Sequence, residues 1–199
     1  MKPPRLFSVP PERVEQANQL FRAALTDPVV WREKANDLLD AVACLTPRIE
    51  AAWQAHVEGR PLTKRFDDVY GCYFMLVAFA LENLAKAVIV HRRRNEWSPE
   101  TTELPACLNS HKLPELLGEI GLAWDRWHLG VLERLTRAAT WAGRYPVPSK
   151  ARQLNRTHEL GLMLGMYSAD DVRDLQRLIA AVQDIVSREL GEAPSRADS

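Results

Sequence analysis

Glycine-rich loops, paired cysteines, strand-like alternation and net charge are all lacking in this 199-residue chain. Each absence removes a class of function. The nine glycines are scattered singly, so no loop can wrap successive backbone amides around a phosphate. His-Glu-x-x-His, Gly-x-Ser-x-Gly and Cys-x-x-Cys do not occur. Kinase, dehydrogenase, zinc-hydrolase and serine-hydrolase readings that depend on those motifs therefore fall. No Glu-x-x-His pair of the di-iron kind accompanies the five histidines, at 56, 91, 111, 128 and 158. Lysine plus arginine number 26, as do aspartate plus glutamate, which argues against a chain that works by bulk attraction to nucleic acid or acidic lipid. Neither a DNA partner nor a membrane partner is expected.

The three cysteines, Cys44, Cys72 and Cys107, lack short repeated spacing and read as reduced thiols of a cytoplasmic protein. Cys107 and His111 are four apart, half of a metal site with no second half. No metal and no cofactor are expected. The first sixteen residues, MKPPRLFSVPPERVEQ, lack the apolar core of a secretion signal. Tyr70 to Val90 is long enough to cross a bilayer, but Glu82, Asn83 and Lys86 interrupt it. The expectation is a helix buried in protein.

What is present is helical periodicity. Trp31, Ala35, Leu38, Val42, Leu45, Ile49 and Trp53 form one stripe of a helix over about 28–58, with a kink or break expected near Thr46 because Pro47 lies inside it. A shorter helix, from about Pro11 to Leu25, carries Val14, Leu20, Phe21 and Leu25 on its apolar side. The helix from about Phe66 to Arg94 is apolar around most of its circumference between Tyr70 and Leu81, which predicts the central position in a bundle. It ends in His91-Arg92-Arg93-Arg94, cations at the negative end of the macrodipole. That run reads as a solvated helix end, with a phosphate-binding patch as the alternative.

A loop over 95–109 leads to a short helix around His111–Leu117, closed by Gly118 or Gly121. Trp124, Trp127, Val131, Leu135, Ala138 and Trp141 share a face of the next helix, which must stop at Gly143-Arg144-Tyr145-Pro146. A short helix is expected over about 155–164. The last helix starts at Ser168, whose hydroxyl is placed to cap the amide near Asp171, and its stripe is Val172, Leu175, Leu178, Ile179, Val182 and Val186. With no strand pattern and no hairpin dipeptide, the fold class is all-α, an up-and-down bundle of about five main helices. Residues 1–27 read as an N-terminal extension with a short helix, 28–190 as the bundle and 191–199 as a disordered tail.

Three polar segments stand out, in order: Glu82-Asn83-Leu84-Ala85-Lys86 on the central helix, His111-Lys112-Leu113 with Leu116-Leu117, and Ala142-Gly143-Arg144-Tyr145-Pro146. Singly each has a bland account. Glu82 and Lys86 form an ordinary pair one turn apart, His111 starts a helix, and Arg144 ends one or pairs with Glu82 in the core. Together they resemble the HEPN family (higher eukaryotes and prokaryotes nucleotide-binding). The resemblance spans about Trp31 to Leu190 on some fifteen positions. It departs from the family at Asn83 and Ala85, and in the extra N-terminal helix.

The resemblance implies a homodimeric helical bundle with one of two activities. In the first, a non-catalytic module binds a nucleotide, RNA or a nucleotidyltransferase partner, with Lys86, His111, Lys112, Arg144 and Tyr145 lining a polar groove and Glu82 in the polar core. In the second, a metal-independent ribonuclease of toxin or defence type uses Arg152 as phosphate clamp and His158 as acid–base, in Arg152-Gln153-Leu154-Asn155-Arg156-Thr157-His158. Twenty arginines and five histidines yield about 1.5 such spacings by chance. The binding module is therefore the favoured reading. A third reading is a purely structural homodimer, suggested by the six tryptophans, three of them (Trp124, Trp127 and Trp141) assigned to one helix.

Overall fold

The computed structural model describes residues 10–61, 64–98, 100–124, 126–142 and 168–191. Six α-helices occur among them and no strand: α1 (Pro11–Thr26), α2 (Pro28–Val57), α3 (Lys64–Arg93), α4 (Leu113–Glu119), α5 (Arg126–Arg137) and α6 (Asp171–Leu190). The chain is an all-α bundle. The helix expected over 155–164 and the tail beyond Gly191 lie outside the described residues.

Asp27 starts α2 by accepting the Val29 amide at 2.9 Å, and Pro28 at the first helical position has no amide to leave unpaired. No break appears at Pro47. Its ring costs a hydrogen bond to the Ala43 carbonyl, but both residues are on the exposed face, where the freed oxygen is open to solvent. Gly59, at φ +87°, ends the helix in a conformation that side-chain-bearing residues avoid. The chain then reverses into α3. Trp53 meets Tyr70 at one end of the hairpin and Trp31 meets Lys86 at the other, so α2 and α3 are antiparallel along their length.

The central position expected for α3 is what its apolar circumference needs. Val77, Ala80, Leu81, Leu84, Ala87, Val88 and Val90 are all buried, against α2, α4, α6 and the end of α5. Each large aliphatic side chain removed from water contributes about 1.5–3 kcal/mol. Among the described residues this is the one helix long and apolar enough to cross a membrane, and 78% of its apolar window is buried inside the protein.

Helix α6 runs parallel to α3: Tyr70 and Asp171 meet near their starts, Arg92 and Glu189 near their ends. The cationic end of α3 is thus tied down. Arg92 grips Glu189 at 2.6 and 3.1 Å and donates to the Glu119 carbonyl, while Arg93 reaches Glu96 and Glu119. Arg92 in turn holds the Glu189 carboxyl below its usual range.

Three local expectations change in three dimensions. Val14 and Leu20 are exposed, because α1 reaches the core only through its C-terminal end, at Phe21 and Leu25. Trp124 precedes α5 instead of sharing its face, and packs beside α4. Ser168 caps by a different geometry: its hydroxyl accepts from Asp170, and its own amide donates to the Asp171 carboxylate at 2.8 Å.

The Trp124 contact yields a prediction. A methyl group at Gly118 would lie 2.7 Å from the Trp124 ring, closer than real carbon contacts allow. Gly118→Ala should therefore lower stability by about 1 kcal/mol, the overpacking cost outweighing the better helix propensity of alanine. Thermal melts should show a loss that Trp124→Leu, tested in the double variant, relieves.

Candidate functional site

The polar segment of the central helix lies inside the bundle. On a helix this apolar, Glu82 and Lys86 face a core that offers no water. They are 5% and 4% exposed, and satisfy each other at 2.6 Å between Lys86 Nζ and Glu82 Oε1. An ion pair so buried is tolerated only when its remaining valences are also met. Lys86 lies 5.7 Å from the centre of the Trp31 ring, within cation–π range. The second carboxylate oxygen, Oε2, takes Nδ1 of His111 at 2.9 Å.

His111 belongs to the segment that leads into α4, 29 residues further along the chain. Its side chain is 48% exposed. The segment is fastened on three counts. Ser110 Oγ accepts from the Lys112 amide, Thr136 Oγ1 on α5 accepts from the Leu113 amide, and Leu113 is itself fully buried. The carboxylate–imidazole contact therefore joins two elements that are each held independently.

Chemically, Glu82 accepts from Nδ1–H, which leaves the lone pair of neutral His111 on Nε2. Among the described residues no hydrogen bond occupies Nε2. A buried acid orienting a half-exposed imidazole is the arrangement by which proteins present one ring nitrogen for proton transfer or nucleophilic attack, and in the doubly protonated ring for anion binding.

The other sequence-derived candidates divide by place. Lys112 is exposed and pairs with Glu115 at 2.8 Å, which raises its pKa. Lys86 is close to the site, but Glu82 engages its buried ammonium. Both oxygens of Glu82 are occupied by Lys86 and His111. Arg144, Tyr145, Arg152 and His158 lie outside the described residues, as do the side chains of Trp127 and Trp141. Among the described residues no group of three histidine, cysteine or acidic side chains could hold a metal ion.

Sequence reasoning missed a second buried polar centre. Asp171, 2% exposed, accepts both nitrogens of the Arg134 fork at 2.7 and 3.0 Å, the Tyr70 hydroxyl at 2.6 Å and the Ser168 amide at 2.8 Å. Arg134 also lies over Phe74, 5.4 Å from the ring centre. Four donors thus converge on one buried carboxylate. This cluster fastens α3, α5 and α6 together.

Compared with protein-family models, curated proteins and solved structures, the chain matches none.

Proposed function

We propose that this chain is a HEPN-like binding module that takes a nucleotide or the phosphate backbone of RNA at His111. The observation that carries the reading is the half-exposed imidazole fixed by a buried Glu82–Lys86 pair in an otherwise apolar bundle. Such a centre is costly to desolvate, and core packing has no use for a polar group that opens to solvent. The doubly protonated imidazole, with Nε2–H directed outward, and the neighbouring Lys112 suit a phosphate, the shared element of these ligands. The order of the three polar segments in the sequence supports the family reading.

Titration of the full chain with ATP and with a short single-stranded RNA, followed by tryptophan fluorescence, tests this. Trp31 beside Lys86 is the expected reporter. His111→Ala should weaken binding at least about tenfold, equivalent to about 1.4 kcal/mol. Unchanged affinity in the variant would rule out His111 as the binding group. A parallel incubation of a structured RNA in EDTA with wild type and His158→Ala addresses the ribonuclease alternative. Cleavage lost in the variant would replace the binding module with the ribonuclease.

A further inference from the structure

Resting on the nucleotide-binding reading, we infer that His111 is a phosphoryl acceptor: its Nε2 takes the terminal phosphoryl group of a bound nucleoside triphosphate.

The geometry meets the requirements of a nucleophilic histidine one by one. Nδ1 is engaged by Glu82 Oε2 at 2.9 Å, so the proton of the neutral ring is on Nδ1 and the reactive lone pair is on Nε2. The ring is half-exposed, so a phosphorus atom can approach. Attack on phosphorus makes the ring cationic, and the carboxylate already in contact stabilises that charge without rearrangement. Glu82 is held by Lys86 on its other oxygen and is almost fully buried, which prevents it from swinging away from the ring. Hydroxyl nucleophiles close by lack this support: Ser110 Oγ and Thr136 Oγ1 both accept from backbone amides that fasten the loop.

The step balances within the named groups. The Nε2 lone pair forms a bond to the γ-phosphorus, and the bond from that phosphorus to the β–γ bridging oxygen breaks. The nucleoside diphosphate leaves with that electron pair. The Nδ1 proton stays between His111 and Glu82. No oxidant or reductant is involved. Glu82 is a positioning residue here, acting through His111.

The test is incubation of the full chain with γ-labelled ATP and magnesium, analysed under alkaline conditions that preserve phosphohistidine, beside the same reaction with α-labelled ATP. Wild type should acquire γ label that is lost in mild acid. His111→Gln should abolish it, and His56→Gln, at a remote exposed position, should retain it. Glu82→Gln should slow labelling at least about tenfold while leaving the site identified by mass spectrometry unchanged. ATP binding without acid-labile label, label that survives His111→Gln, or transfer of the α label would each overturn the inference. Absence of ATP binding in the fluorescence titration would overturn the nucleotide reading beneath it, so the two failures are distinguishable. His111 is half-exposed and its replacement should leave the fold intact, which circular dichroism of the variant checks.

Discussion

Asp171→Ala should destabilise the bundle by about 3–5 kcal/mol, the cost of removing one member of a buried, hydrogen-bonded ion pair. The Arg134 side chain is 13% exposed and would lose the carboxylate that takes both nitrogens of its fork. Tyr70 would lose its shortest hydrogen bond and the Ser168 amide its carboxylate acceptor in the same stroke. Urea unfolding should show the loss, and Arg173→Ala, at an exposed ion pair two residues along α6, should change stability by less than about 0.5 kcal/mol. Equal effects at the two positions would refute the fastening role.

The same cluster predicts a response to alkali. Burial, reinforced by the charge of Asp171, holds the Tyr70 phenol far above its ordinary value of 10.0. The unfolded chain releases this proton near pH 10 and the folded chain does not. The stabilisation is therefore fully present below pH 10 and is lost as pH rises beyond it. Tyr70→Phe should cost about 1 kcal/mol at neutral pH and flatten the alkaline part of the stability curve.

The second large effect is expected at the candidate site. Glu82→Ala should cost about 3 kcal/mol, because Lys86 is left buried with only an aromatic face beside it. His111→Ala should cost less than about 1 kcal/mol, since half of that ring is already in water. The paired change Glu82→Leu with Lys86→Met removes both charges at similar volume and should recover most of the stability. Ligand binding should stay weakened in the pair, since the imidazole has lost its anchor. A pair that regains stability and full affinity together would show that the buried charges serve only the fold.

How far the sequence could be read depends on where each interaction closes. The stripes of α2 and α6 are local, repeating every three or four residues, and the buried residues Ala35, Val42, Ile49, Val172, Leu175 and Val182 follow them. The core position of α3 follows from its apolar circumference. Glu82 and Lys86 also meet within one turn, so their pairing was legible. How completely the pair is covered was not, because that depends on α2 and the loop before α4 closing over it.

Val14 shows the same limit from the opposite side. Its spacing from Phe21 and Leu25 fits one stripe, yet the core ends before it. Pro47 shows that a helix-breaking residue is tolerated wherever its unmet carbonyl reaches water. Asp171 looks like an ordinary first-turn acid, favourable to the dipole and little else. Its partners Arg134 and Tyr70 are 37 and 101 residues away, and no periodicity links them.

By itself, then, the sequence determined the all-α class, the main helices and their inward faces, since these follow from local spacing and backbone chemistry. Only the tertiary structure decided which polar groups meet: His111 on Glu82, and Arg134 with Tyr70 on Asp171. The reason is physical. A buried charge must find its partners wherever packing brings them, and that choice is made between helices, where sequence distance carries no information.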